Sequence, residues 1–461
     1  MTMKSTAQGL LLAVALFSSS LATAQQKTTA DAEKDDALTW HGITLYGIVD
    51  VGFQYENHGA PFSDYHPAGS NNIVQKYSRQ SADGLTPSNL SQSRIALQGS
   101  ELLGADWFGI FRLETFFNPQ SGEISDAQKS MVENNGRALG AQTVNLNSSV
   151  AGQPFQTAFV GFSSKTYGTV TFGRQLTIVA DGVNKYDPNY GSQAFSLIGM
   201  SGPYAGAGDT EDKRLDSALK YDNVIADIVH VGALYKFGGS SGVFNTAYQF
   251  VVGGVYANAS LDAYYSKVDS AISNAPLSAA QVAALPGIGF SLSNSLSATI
   301  SDNTAYALMA SYKLAAWKFF AAYENIQFAN PKHPVTAGFS DIGGYNLAFV
   351  NNAAFPKDKV LHVYWAGVRY TVIPKLELTA AYYAVHQNSF GTGASAGCST
   401  SAGATCSGTL EAFSFDAVYA LNKHLDAYVG AMYSAVHDGF ANGYLFQTNN
   451  INPTLGLRFK F

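Results

Sequence analysis

The sequence predicts an all-β protein, a transmembrane antiparallel up-and-down β-barrel of about 16 strands. Three observations carry that prediction. Segments of about ten residues alternate apolar and polar side chains, the period of an extended strand whose successive residues point to opposite faces. The connections between segments alternate short and long. Charged residues make up 13% of the chain, about half the share of a soluble domain, yet no later stretch approaches the 18 consecutive apolar residues of a membrane helix.

At the N-terminus, Lys4 precedes the apolar run "GLLLAVALFSSS", and Ala22, Thr23 and Ala24 form a small-x-small cleavage site before Gln25. Residues 1–24 are therefore expected to be a secretory signal, since the run is shorter than the ~20 residues of a spanning helix. Residues 25–42 include the charged run "DAEKDD", which cannot bury a core, and are expected to form a flexible, solvated periplasmic extension. Attachment to something periplasmic is the alternative. Residues 43–461 form the expected barrel.

In "ITLYGIVDVGFQYE", Ile43, Leu45, Val49, Val51, Phe53 and Tyr55 share one face, with Thr44, Tyr46, Asp50, Gln54 and Glu56 on the other. "WFGIFRLETFF" sets Trp107, Phe111 and Leu113 against Arg112 and Glu114, and "RLDSALKYD" sets Leu215, Leu219 and Tyr221 against Arg214, Asp216, Lys220 and Asp222. Near the end, Phe413, Phe415 and Tyr419 oppose Ser414 and Asp416, while Leu425, Val429 and Tyr433 oppose Asp426, Tyr428 and Ser434. The terminal "TLGLRFKF" alternates Leu455, Leu457, Phe459 and Phe461 with Thr454, Gly456, Arg458 and Lys460. This is the pattern of a last strand that pairs with the first, closes the barrel and turns its apolar face to lipid.

Short links at 101–106, 164–168, 257–260, 373–375 and 422–424 alternate with long polar stretches near 57–90, 118–152, 177–212, 269–302, 328–358, 388–408 and 437–449. Short turns at one end and long loops at the other mark an outer-membrane barrel, and one of this size encloses an aqueous channel. With the signal removed, 26 basic face 33 acidic side chains, a balance that argues against a nucleic-acid partner.

"LYGIVDVG", "SRIALQGSELLG", "FVGFSSKTYGTVTFGRQ" and the terminal "LRFKF" occur in an order and spacing that resembles the trimeric general diffusion porins of Gram-negative outer membranes, particularly their betaproteobacterial branch. The resemblance covers roughly 43–461. It implies passive diffusion of ions and small hydrophilic solutes, a homotrimer surrounded by outer-membrane lipid and lipopolysaccharide, and a loop after the fifth strand, here about 177–212, that folds inward and narrows the barrel. It also implies a basic ladder across from that loop, carried here by Arg94, Arg174 and Arg214. Alternation independently turns Arg94 and Arg214 inward. Arg174 shares parity with Val170 and Phe172, so it would lie in lipid at a cost of about 2–4 kcal/mol unless a bulge at Gly173 redirects it.

The family's acidic Pro-Glu-Phe-Gly-Gly stretch is absent, and "VADGVNKYDPNYG" offers Asp181 and Asp187 as the loop carboxylates. Asp50, Arg112, Glu114 and Lys220 complete the expected pore lining. Cations on one wall and carboxylates on the other would set up a transverse field that orients dipolar solutes. The blander role for these charges is mutual pairing that holds wall and loop together. Three arginines favour anions, whereas the acidic balance elsewhere favours cations.

Cys398 and Cys406 flank a loop segment and are expected to form a disulfide in an oxidising compartment. The nine His are scattered, so no metal site and no cofactor is expected, and His362, on the apolar face with Tyr364, Ala366 and Val368, is expected at a membrane-interfacial or inter-subunit position rather than in catalysis. No catalytic residues are assigned: an outer-membrane lipase would need a Ser beside a His on the lipid side of the wall. A substrate-selective channel, with loops such as 339–355 forming a vestibule, and a plugged adhesive barrel are the remaining alternatives.

Overall fold

The computed structural model describes residues 38–58, 81–124, 126–138, 154–200, 213–238, 246–285, 287–340, 342–398, 405–439 and 447–461. The expected signal and residues 25–37 lie outside them. Sixteen wall strands form one closed antiparallel barrel. They are β1 (Ile43–Glu56), β2 in two pieces (Ala82–Pro87 and Arg94–Gly104), β3 (Trp107–Phe116), β4 (Thr157–Ser164), β5 (Gly168–Leu176), β6 (Arg214–Ile225), β7 (Val229–Lys236) and β8 (Ala247–Tyr256). The circuit continues with β9 (Ala259–Ala275), β10 (Ser295–Leu314), β11 (Trp317–Ala329), β12 (Lys359–Ile373), β13 (Leu376–Gln387), β14 (Gly408–Ala420), β15 (Leu425–Asp438) and β16 (Asn449–Lys460).

The barrel closes where β16 meets β1, from Thr454 opposite Gln54 to Lys460 opposite Ile48. Gly47 N–H donates to the Phe461 carbonyl at 2.9 Å, and Phe461 N–H returns a bond to Gly47 at 3.1 Å. Closure leaves no strand edge unpaired in lipid. Leu455, Leu457 and Phe459 are 56%, 52% and 45% exposed on the outer face, whereas Thr454 is buried and Arg458 pairs with Asp426 at 2.7 Å. The terminal alternation is thus the lipid-out, lumen-in pattern that the sequence predicts.

Several boundaries differ from the sequence reading. Leu38–Trp40, placed in the extension, form a short strand that pairs with β1 through the His41–Gly42 turn. The long stretch expected at 57–90 contains the first piece of β2, paired with β1 up to Pro87. The expected loop at 269–302 shrinks to 276–294, because β9 and β10 run for 17 and 20 residues. Lumen-side and rim packing extends them: Leu296, Ile300, Ile342 and Leu347 form a buried cluster with Met131 and Val132 of helix α1 (Ala127–Glu133). Within the stretch considered as a vestibule, Asn346–Asn351 runs parallel to the start of β10. In β6 strict alternation fails at Ser217, whose φ is 51°. Leu215 is therefore buried against the lumen core, and Asp216 is exposed.

Cys398 and Cys406 are joined in a disulfide, with Cα atoms 5.2 Å apart. The largest buried apolar cluster lies inside the barrel, between the wall and a chain segment that enters it after β5.

Candidate functional site

That entering segment begins with helix α2 (Ile178–Tyr186). Thr177 caps it, its hydroxyl accepting from Ala180 N–H at 3.1 Å. The helix stops at Asp187, which is extended (φ −73°, ψ 128°) because Pro188 follows it and disfavours α geometry in the preceding residue. Ile178, Val179, Val183 and Tyr186 pack on inward side chains of β7 to β13, including Leu234, Val251, Tyr264, Met309 and Trp365. Burial of that apolar face draws the loop inside the barrel rather than outward to solvent.

Polar contacts then fix the loop's path. The Ile178 amide donates to Gln249 Oε1 at 2.8 Å, Tyr186 OH meets Ser260 Oγ at 2.6 Å, and Lys185 Nζ lies 2.8 Å from Asp262. Trp365 Nε1 donates to the Tyr186 carbonyl at 3.1 Å. Arg369 of β12, 2% exposed, donates to the carbonyls of Asp187 and Pro188 while its guanidinium lies over the Tyr190 ring. Gly367 allows this approach, since a Cβ there would meet Pro188 Cγ at 2.5 Å. Farther along, Asn189 donates to Ser414 Oγ at 2.9 Å and Asn452 donates to the Ala194 carbonyl at 3.1 Å. The amides of Gln193 and Ala194 both reach the carbonyl of Asn89, each at 2.9 Å, in the break of β2. The loop therefore follows the inner wall from β8 round to β2.

Across from it stands the basic cluster. Glu114, 2% exposed, has the Arg112 guanidinium at 2.6 Å and those of Arg94 and Arg214 each at 3.6 Å. The Arg214 guanidinium also lies over the Phe116 ring. The register of β5 against β6 shifts between Gly173 and Gln175, and Gly173 has φ 133°, so the expected bulge is present. Arg174 is 8% exposed whereas Phe172 is 45% exposed, which puts the guanidinium off the lipid face, 3.6 Å from Asp216.

The remaining sequence-predicted residues divide. Lys220 pairs with Asp181 of the loop and also donates to the Leu176 carbonyl at 3.1 Å, so these two charges tie α2 to the wall. Asp187 is fully buried, accepting from Tyr383 OH at 2.7 Å and Gly191 N–H at 2.6 Å. Burial holds its carboxyl above the usual carboxylate range. Its expected pore-lining role is corrected to that of an anchor, because the wall offers it donors that the open channel does not. Asp50 is corrected likewise: fully buried, it accepts from Tyr428 OH at 2.6 Å and from the amides of Leu90 and Ser91 at 2.7 and 2.9 Å, bracing the β2 break.

Sequence reasoning missed Arg369, although "VYWAGVRY" alternates it inward with Val363, Trp365 and Gly367. It also missed Lys213, next to Arg214, whose ammonium is pushed down to about 8 by burial and by the neighbouring guanidinium. His230 was passed over as scattered. It bridges Asp222 at 2.9 Å and Asp262 at 3.1 Å below α2.

Comparison with known proteins agrees with this architecture. Residues 11–439 match the family model for the Gram-negative porin. The chain is 27% identical over 228 residues to an outer membrane porin protein of Bordetella pertussis, a match spanning 49% of this chain and 47% of that relative's length. The fold resembles an anion-selective porin from Comamonas acidovorans (TM-score 0.56, 16% identity, 91% of this chain and 99% of that one). It also resembles the trimer form of OmpT from Vibrio cholerae (TM-score 0.53, 11% identity, 91% and 99%). A closed sixteen-strand barrel with an apolar exterior, a cluster of charged side chains inside and a loop folded along its inner wall, matched over nearly its whole length by that family model, belongs to the Gram-negative porins and is a channel of the outer membrane.

Proposed function

We propose that the channel passes ions and small hydrophilic solutes by passive diffusion and prefers anions at its constriction. One observation carries the preference. Arg94, Arg112, Arg174, Arg214 and Lys213 gather on one side, where Glu114 is shared by three of the guanidiniums and Asp216 lies beside Arg174. Among the described loop residues, both carboxylates are already engaged, Asp181 by Lys220 and Asp187 by Tyr383. The field at the eyelet is therefore set by one cationic wall, and cations crossing it meet repulsion that anions do not. The anion-selective porin from Comamonas acidovorans is consistent with this reading.

The active form is proposed to be a homotrimer, in line with the trimer form of the Vibrio cholerae protein, embedded in outer-membrane lipid and lipopolysaccharide. Residues 1–24 are proposed to be removed as a signal. The test is reversal potential in a potassium chloride gradient across a planar bilayer, for the wild type and for Arg174→Ala. The reading expects anion preference that weakens in the variant, with conductance steps in groups of three. A cation-selective wild type would overturn it.

A further inference from the structure

The described part of the entering loop turns few side chains toward the channel. Of residues 177–198 only Asp181 and Tyr190 are exposed, and Asp181 is tied to Lys220. Tyr190 is 48% exposed. Its backbone has φ 54°, a left-handed conformation that glycine or asparagine adopts far more readily than a bulky side chain. Backbone preference thus argues against tyrosine at this turn, and what the ring touches has to account for it.

Behind the ring stands a fixed stack. The Arg369 guanidinium lies 2.9 Å from the centroid of Tyr190 and 4.8 Å from that of Phe320 on β11, a residue only 3% exposed. The carbonyls of Asp187 and Pro188 hold that guanidinium in place, with Glu377 3.8 Å away. One face of Tyr190 is therefore capped by a buried cation between two rings, which leaves the rest of the ring to the channel. A cation on one face draws π density toward itself, and the free face then suits an electron-rich or anionic ring better than a second cation.

The opposite wall supplies the complementary charge. β12, which carries Arg369, is eight strands from β4 in the closed circuit of sixteen, and Arg94, Arg112, Arg174 and Arg214 stand on β2, β3, β5 and β6, around β4. The levels agree as well. Arg369 lies four residues above Ile373 at the short-turn end of β12, and Arg112 lies five above Trp107 at the short-turn end of β3. At equal strand tilt the two guanidiniums differ in height by about one residue rise, ~3 Å.

We propose that Tyr190, backed by Arg369 and Phe320, is a stacking platform for aromatic carboxylates of the benzoate class, whose ring rests on Tyr190 while the carboxylate faces the arginines across the eyelet. The proposal rests on the anion-preferring reading above and names a solute class for it. An aliphatic anion gains only the attraction of the arginines, and a neutral ring gains only the stack.

The test is a planar bilayer holding the purified protein, with current in potassium chloride recorded as benzoate, cyclohexanecarboxylate or benzyl alcohol is added. A bound solute interrupts the chloride current, so the half-blocking concentration reads its residence in the eyelet. Benzoate is expected to half-block at about tenfold lower concentration than cyclohexanecarboxylate, which has the same charge and similar size, the worth of one aromatic stack. Benzyl alcohol, with the ring and no charge, is expected to need at least about tenfold more than benzoate. Tyr190→Phe should keep the preference for benzoate, and Tyr190→Leu should reduce it to about twofold or less. Tyr190→Asn, which suits the left-handed backbone, takes the place of the Leu variant if that one does not fold. Equal block by the two acids in the wild type, equal block by benzoate and benzyl alcohol, or an unchanged ratio in the Leu or Asn variant would overturn the proposal. The ratio of two equally charged acids reads the ring alone, whereas the wild-type reversal potential in potassium chloride reads the cationic wall, so failure of one reading is told from failure of the other.

Discussion

Replacing Glu114 with Gln keeps the shape of the side chain and removes the charge that three guanidiniums share. At 3.6 Å and an effective dielectric constant of about 20, each of the two longer pairs is worth about 5 kcal/mol of gross attraction. Most of that is offset by the cost of burying the ions, and breaking a buried pair by removing one partner costs about 3–5 kcal/mol net. The variant should therefore lose that much unfolding free energy in urea, since Arg94, Arg112 and Arg214 are left to repel one another. Selectivity should move in the opposite sense from stability. One extra net positive charge, acting through water on an ion passing about 7 Å away, favours an anion and disfavours a cation by about 0.6 kcal/mol each, or roughly a sevenfold rise in the anion-to-cation permeability ratio. The assay pairs equilibrium unfolding in detergent with reversal potentials, and Glu411→Gln, on the outer wall, serves as a control expected to leave the ratio unchanged. A Glu114→Gln variant with wild-type unfolding and wild-type permeability ratio would refute the idea that this carboxylate organises the basic wall.

Other predictions follow from the same contacts. Lys213, with its ammonium pushed down to about 8, is charged below that pH and neutral above it. Anion preference should therefore fall as pH rises from 7 to 9, and Lys213→Met should show the weaker preference at both values. Tyr383→Phe removes the hydroxyl that donates to Asp187 and contacts Asn189 at 3.0 Å, leaving the buried carboxylate one donor short, at about 1–3 kcal/mol. Single-channel records should show added open-channel noise from a looser loop, and a trace as quiet as the wild type would remove Tyr383 from the anchor. At Gly173 (φ 133°) a Cβ would meet the Ala158 carbonyl at 2.2 Å, so Gly173→Val should sharply lower the yield of folded barrel. Cys398→Ser should leave conductance unchanged, because its disulfide closes only an eight-residue separation at the rim.

The wall was legible in the sequence because lipid imposes a simple rule. Outward side chains within the apolar band, such as Phe53 and Phe459, must be tolerable in hydrocarbon, so period-two alternation survives almost intact there. The same rule made Arg174 readable: its parity was wrong by one residue, and the adjacent glycine could absorb the correction. Ser217 shows the limit of that inference, for a non-glycine residue with φ 51° flips Leu215 and Asp216 without any compositional sign. The β9 and β10 boundaries were misjudged for a related reason. Once strands rise above the membrane, their length is decided by packing against other loops, here Met131 and Val132, and no local pattern encodes it.

The loop carboxylates posed a harder problem. An aspartate on an inward-folding segment faces the pore only if the wall behind it lacks donors. For Asp187 that wall supplies Tyr383, nearly two hundred residues away, and for Asp181 it supplies Lys220. Because those acids go to anchoring the loop, the wall arginines gain no matching acidic partner from its described part. Holding the loop in place and setting the sign of the eyelet are thus two consequences of one assignment of charges. A variant that frees Asp181 from its anchor, such as Lys220→Met, should therefore both loosen the loop and draw the channel toward cations. If selectivity shifts without added noise, or noise rises without a shift in selectivity, the two roles are separable and the linkage fails.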